Sequence, residues 1–384
     1  MGTATVGRLR DVGAAIVGPG IIGDVHAQAV RRVGANIRAV VARTDAGARM
    51  AQERYNAEIG TVDLSQALSD PNVHVVHICT PNALHYAMAA AAVAASKHVI
   101  LEKPFTITVA EGLDLLERAE GSGRVHAICF NTRFYPLVQE AHERIRRGDL
   151  GEVFALRASI LDDGLLLAED WNWRLDPELG GPSVALSTIG CHLIDLVSFV
   201  VGDTVSEVCA DLRTVHPLRR NGGRETELDA QEVAHLMVRF ARGCRGVLGV
   251  SMAAAGRRLS VSMEIDGTRQ AMAWEAPDSN QLWIGCRQTP NQIIMRDPAL
   301  ISDRAREYVS ADAGWREGFA ETFYQLVGHV YADVLRGEPG DRAWATYPTF
   351  RDGLAALRVH QAALDSARLG GWQKVEHSDE KHVT

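Results

Sequence analysis

Ten residues near the start constrain this chain more than any others. Ala14-Ala15-Ile16-Val17-Gly18-Pro19-Gly20-Ile21-Ile22-Gly23 reads as a short apolar strand running into G-x-G-x-x-G and then a helix. The three glycines answer three steric demands. Gly18 permits a tight turn, Gly20 lets the backbone approach a pyrophosphate, and Gly23 lets helix and strand pack closely. Phosphates would rest on N–H groups at the helix N-terminus, with Ile21 and Ile22 beside them.

The rest of the first third fits that turn. Apolar runs at 14–17, 37–41, 73–79, 98–101 and 125–130 alternate with helix-like segments at 21–33, 46–55, 83–95 and 109–119, and a short helix starts at 65–68. Near-continuous apolar strands alternating with helices predict a parallel sheet covered on both faces, doubly wound as in a Rossmann fold. From Gly151 the strands change character. Segments 153–160, 205–214, 234–240, 245–252, 259–266 and 269–275 are joined by short turns, which predicts a large, mainly antiparallel open sheet. Helices are expected at 190–201, 315–335 and 350–367. The fold class is therefore α/β: a Rossmann domain over 1–130, then an α+β domain over 131–384 for substrate binding and oligomerisation. The C-terminal helix should pack back on the first domain. The first and last ten residues read as loose ends.

Charge and composition exclude several roles. Forty Lys and Arg stand against 48 Asp and Glu, a net charge of −8, which argues against a sequence-independent nucleic-acid binder. The most apolar stretch, 184–201, carries Ser187, Thr188, His192, Asp195 and Ser198, too many polar groups for a membrane span. Six cysteines without a C-x-x-C pair read as reduced, mostly packing thiols in a cytoplasm. The histidines are scattered, and His74 and His77 would face opposite sides of a strand, so no metal site is expected.

The acidic residue that usually follows the second strand of such a fold is missing. Val41-Ala42-Arg43-Thr44-Asp45 stands there. Arg43 could stack on adenine or pair with a 2′-phosphate, and Thr44 adds a hydroxyl. The cofactor is then NAD or NADP, with a modest tilt to NADP. Asp45 remains open as a ribose partner.

Two further segments lie at carboxyl ends of parallel strands, where ligands bind in this architecture. They are Thr80-Pro81-Asn82-Ala83-Leu84-His85 and Glu102-Lys103-Pro104. With the glycine loop, with Asn131-Thr132-Arg133-Phe134, and with Gly190-Cys191-His192-Leu193-Ile194-Asp195, they resemble the glucose–fructose oxidoreductase/inositol dehydrogenase family (Gfo/Idh/MocA type) over nearly the whole chain. The resemblance implies an NAD(P)-dependent oxidoreductase acting on a secondary alcohol of a sugar, polyol or derivative, or on the corresponding ketone. It assigns Lys103 to face both nicotinamide and substrate, behind a proline that is commonly cis. It assigns Thr80, Pro81, Asn82, Glu102 and Lys103 to the cofactor. His85 contacts the cofactor or caps its loop. The second domain's open sheet would make a homodimer or homotetramer.

The residues themselves meet the chemistry. Oxidising an alcohol needs a base for the hydroxyl proton and a positive group near the oxygen. His192 suits the first by its ordinary pKa, and Lys103 the second. Asp195 is three residues after His192, on the same helical face, and could orient His192 or substrate or pair with a nearby base. One departure stands out. Family members often carry an acid four residues before the histidine, and here that position is Thr188, which keeps only hydrogen bonding. Asp170-Trp171-Asn172-Trp173-Arg174 offers aromatic faces for sugar C–H surfaces and polar groups for hydroxyls. Arg133, Trp171, Trp173, Arg174 and Thr188 are the substrate candidates, with Gln231, Glu232 and His235 weaker ones. Two other readings stay open: a redox-neutral glycosidase with tightly held NAD, and a cofactor-binding sensor or scaffold.

Overall fold

The structure is a computed structural model that describes residues 8–337 and 346–377. It divides into two compact units. Among the described residues, one is drawn from 8–131, 322–337 and 346–354, the other from 132–321 and 355–377.

The first unit holds six parallel strands: β1 (Gly13–Val17), β2 (Asn36–Val41), β3 (Ile59–Thr61), β4 (Val75–Ile78), β5 (His98–Leu101) and β6 (His126–Ile128). Their order is β3-β2-β1-β4-β5-β6, the doubly wound arrangement. Between them run α1 (Ile21–Arg32), α2 (Asp45–Tyr55), α3 (Leu64–Ser69), α4 (His85–Ala94) and α5 (Val109–Gly121). Strands β1, β4, β5 and β6 are buried at every residue, so their sequences carry no polar alternation. Local chemistry sets the helix starts. Thr44 caps α2 through the Gly47 N–H, and Thr108 and Glu111 form a reciprocal capping box on α5. The pattern reading lacks β3, a three-residue edge strand that only its pairing with β2 makes visible.

The second unit begins with α6 (Pro136–Arg146), β7 (Val153–Leu161), α7 (Pro177–Gly180) and α8 (Cys191–Val201). Then come β8 (Val205–Arg213), the hairpin β9 (Leu218–Asn221) and β10 (Arg224–Glu227), β11 (Val233–Phe240), β12 (Arg245–Ser251), β13 (Ser260–Gly267), β14 (Ala271–Glu275), β15 (Gln281–Gly285), β16 (Gln292–Met295) and α9 (Asp303–Arg306). Late in the chain are α10 (Phe319–Arg336), α11 (Phe350–Leu369) and β17 (Gln373–Lys374). The large sheet has nine strands, ordered β16-β15-β14-β13-β7-β12-β11-β8-β17. All neighbours are antiparallel except β7 and β12. Burial alternates along β11 and β13, so one face is covered and the other is open. Met237 and Val247 project from the open face.

Two boundaries depart from the sequence reading. The block 131–384 loses Thr322–Leu354 to the first unit. The reason is packing: Phe323 meets His26, Tyr331 meets His77, and Phe350 meets Phe105 and His126. The tail from Val375 is not wholly loose either. β17 pairs with β8, and Val375 is buried with its N–H on Ser206 O at 2.9 Å. The remainder of both expected loose ends, residues 1–7 and 378–384, lies outside the described residues.

Candidate active site

The glycine turn closes as steric reasoning demands. Gly18 adopts φ +89°, and a Cβ there would sit 2.7 Å from Cys79 O. A Cβ on Gly23 would collide with Gly18 O, while one on Gly20 would meet nothing within 4 Å. So Gly18 and Gly23 are packed against backbone, and Gly20 faces open space. Gly20 starts α1 without a side-chain cap. Ile21 is 90% exposed at that end and Ile22 is half-buried. Arg54 holds the turn from behind, donating to Pro19 O at 2.9 Å. At the end of β2, Arg43 is exposed, and Thr44 spends its side-chain oxygen on the α2 cap.

The ends of β4 and β5 complete this edge of the sheet, with Ile78 beside Leu101. Thr80 Oγ1 is buried without a hydrogen-bond partner among the described residues, next to the turn that Gly18 makes. An orphaned hydroxyl beside an open glycine is what a bound phosphate or nucleotide would satisfy, so these residues fit a dinucleotide. Pro81 and the buried Asn82 follow. His85 is fully buried, with Nδ1 on Pro104 O at 2.7 Å and Nε2 on Thr80 O at 3.0 Å. It clamps the two loops together, the capping alternative of the two held open for it. Burial lowers its pKa, against the pull of the two carbonyls. Lys103 is half-buried and precedes a cis peptide bond to Pro104. Glu102 is buried, with Oε2 accepting from the Lys103 N–H at 3.2 Å.

In the second unit Thr188 lies in a turn of π-helix, Leu186–Gly190, that runs directly into α8. His192 is in the first turn of α8 and half-buried. Asp195 is buried and takes both arms of Arg133, one of them at 2.8 Å. Asp195 thus pairs with a nearby base, one of the readings open for it. Arg133, read as a substrate contact, is the other half of the pair and stacks over Phe199 at 4.8 Å. Trp171, Trp173 and Arg174 are half-buried, with the Arg174 guanidinium 4.6 Å above the Trp173 ring.

Two matches cover most of the chain. A model of an oxidoreductase family with an NAD-binding Rossmann fold, GFO_IDH_MocA, matches residues 12–130. The GFO/IDH/MocA C-terminal domain matches residues 138–273. The chain belongs to the GFO/IDH/MocA oxidoreductase family. Levoglucosan dehydrogenase of Pseudarthrobacter phenanthrenivorans is 26% identical, over 96% of this chain and 99% of its own. A structure of levoglucosan dehydrogenase with NADH and L-sorbose has a TM-score of 0.89 over 96% and 99% of the two chains, at 26% identity. An NAD-binding oxidoreductase from Klebsiella pneumoniae is 28% identical, with a TM-score of 0.86 over 96% and 100%.

Motif reading of this family member left out side chains that only the fold assembles. His26, Glu102 and Cys129 bring donor atoms within 4.8 Å of one another, although no metal-ligand spacing marks them in the sequence. His26 Nε2 and Glu102 Oε1, 3.0 Å apart, already share a hydrogen where a cation would have to sit. The signal available was modest. Gly23, His26, Ala27 and Val30 share the buried face of α1, and His26 is the one ionisable residue on that face. Gln231, a weak candidate, holds φ +52° with a buried Oε1 lacking a partner. Glu232 is locked to Arg219, and His235 is exposed on β11.

Proposed function

We propose that this family member is an NAD(P)-dependent dehydrogenase or reductase that moves a hydride between the nicotinamide and a secondary alcohol or ketone of a sugar, polyol or sugar derivative. The observation that carries this reading is the single sheet edge where the open Gly20, the orphaned Thr80 hydroxyl and the held Glu102-Lys103-Pro104 segment follow β1, β4 and β5. When bound, the nicotinamide supplies the carbon that accepts or returns the hydride. The chain supplies the rest. N–H groups of Gly18–Gly23 hold the pyrophosphate, and Thr80 gives its hydroxyl to the cofactor. Lys103 donates to the substrate oxygen and stabilises the developing alkoxide, while His192 takes the hydroxyl proton. Thr188 gives the substrate a hydrogen bond where relatives often carry an acid. Trp171, Trp173 and Arg174 provide a stacking and hydrogen-bonding surface for a sugar.

NAD is the cofactor we favour. NADH is the cofactor in the levoglucosan dehydrogenase complex, and Arg43 can serve NAD by stacking on adenine. A homodimer or homotetramer through the open sheet face of the second unit belongs to the same reading, because Met237 and Val247 would be covered there.

The test is calorimetric titration of the purified chain with NAD, NADH, NADP and NADPH. A screen of sugars and polyols for NADH formation follows, beginning with levoglucosan, myo-inositol and L-sorbose. Exchangeable binding and turnover are expected, and Lys103→Ala should lower kcat by at least ~10²-fold with cofactor affinity kept. No binding to any of the four would overturn the reading. Cofactor retained through purification without net reduction would replace it with the redox-neutral glycosidase.

A further inference from the structure

Four buried side chains of the first unit, distant in sequence, form an unbroken row. His26 Nε2 lies 3.0 Å from Glu102 Oε1, His26 Nδ1 lies 2.8 Å from His77 Nδ1, and His77 Nε2 lies 2.8 Å from Tyr331 Oη. Relative exposure is 0% for His26, His77 and Tyr331 and 5% for Glu102, so water cannot supply or remove a hydrogen. We propose that this row is a one-way hydrogen-bond chain that holds an ionised Glu102 in place beside Lys103, which makes His26, His77 and Tyr331 positioning residues for the Glu102-Lys103-Pro104 segment.

The direction follows from counting hydrogens. An ionised carboxylate only accepts, so His26 donates from Nε2. A neutral His26 then has a bare Nδ1, and His77 must donate from its own Nδ1. That leaves His77 Nε2 bare, and the Tyr331 hydroxyl donates to it. Every hydrogen has one acceptor. Turning His77 round needs a protonated Glu102 or a doubly protonated His26, and either strands the phenol hydrogen of Tyr331 in the interior, with no second partner among the described residues. Burial favours the forward arrangement. It drives the His77 pKa well below its ordinary value and raises that of Tyr331, so both are neutral. Burial also opposes charge on Glu102, but hydrogen bonding from His26 and the Lys103 charge bring its pKa down. The other titratable groups near Glu102 are Cys79, after β4, and His85, on α4.

The consequence is mechanical. One oxygen of Glu102 is held by His26, and the other holds the Lys103 N–H. The Glu102 N–H is itself fixed on Ile78 O at 2.9 Å. On the far side of Lys103, His85 grips Pro104 O. The main chain that carries Lys103 is thus gripped from both sides, one grip reaching back through α1 and β4 to α10. The effect on turnover rests on the proposed role of Lys103, but the hydrogen arrangement does not.

The experiment is long-range 1H–15N correlation on the full chain with 15N-labelled histidine, from pH 8 to pH 6. His26 is expected as the Nε2–H tautomer and His77 as the Nδ1–H tautomer, with His77 uncharged throughout. The same tautomer in both, or titration of His77 within that range, would overturn the chain. Tyr331→Phe removes one hydroxyl and little else. It should leave His77 as the Nδ1–H tautomer, which His26 still requires, and shift the signal of the bare Nε2, and an unchanged Nε2 signal would refute the assigned direction. In activity, His26→Leu should lower kcat ~10-fold or more, the size of one hydrogen bond to a charged group, with the cofactor KM within about twofold. His26→Gln, which still offers an N–H, should recover most of that loss. Equal kcat in the two variants would sink the link to Lys103 with the tautomers intact. Absence of turnover in the wild type with the tautomers as assigned would count against the proposed function instead.

Discussion

The turn between β1 and α1 and the stretch from Leu165 to Asp195 are built on opposite principles. In the turn, backbone does the work. Gly23 touches Gly18, Gly18 touches Cys79, and the face at Gly20 stays open. In the later stretch, side chains from remote segments set each position. Arg133 reaches across to Asp195. The buried Arg219 holds Leu165 O at 3.0 Å, Leu167 O at 2.6 Å and Asp170 O at 3.2 Å, and is neutralised by the buried Glu232. A surface made of N–H groups can be written in ten contiguous residues. A surface made of side chains needs long-range partners.

The contrast can be broken first at its most rigid point. Gly23→Val should abolish measurable NADH binding in calorimetry and lower the melting temperature, because the added carbons overlap Gly18 O. Gly20→Ala, with open space around it, should melt like the wild type and lose only affinity. Equal behaviour of the two variants would remove the steric account.

The second unit should yield next. Glu232→Leu leaves the Arg219 charge buried without its carboxylate, which costs about 3–5 kcal/mol. Denaturant unfolding should show that loss. A change below about 1 kcal/mol would mean the carbonyls alone suffice for Arg219.

Acid should destabilise both units over one pH window. Burial holds His98, on β5, and His360, on α11, at about 4, against an ordinary 6.5. Between those values the unfolded chain takes up protons that the folded chain refuses, so stability falls as pH drops from about 6.5 to about 4. Each such group contributes at most ~3 kcal/mol to that slope. Chemical melts at pH 7, 5.5 and 4.5 measure it, and His98→Gln should flatten it. A flat profile in the wild type would refute the buried-neutral assignment. The smallest effect is expected at Arg43. Arg43→Ala should weaken NADP more than NAD if the guanidinium pairs with a 2′-phosphate, and both alike if it stacks on adenine. The relative dissociation constants decide.

Legibility tracked range along the chain. Wherever strands were wholly buried and mostly apolar, as in β1, β4 and β5, the pattern alone located them within a residue or two at most ends. β3 escaped because three residues carry no period. β15 and the edge strand β16 escaped because they lie beyond the last clear alternation. In the site, the glycines, Thr80 and the Glu102-Lys103-Pro104 segment were legible as motifs. The Arg133–Asp195 pair was not, because 62 residues separate its members and neither sequence context requires the other.

The amino-acid sequence by itself determined the two sheet types, the phosphate turn and the family, because periodicity and the steric needs of glycine act over short stretches of chain. Only the tertiary structure decided that Asp195 belongs to Arg133, that His85 clamps Thr80 to Pro104, and that His26, His77 and Tyr331 stand behind Glu102. The reason is physical. A buried polar group must find its partner wherever folding brings one, and spacing along the chain carries no record of that choice.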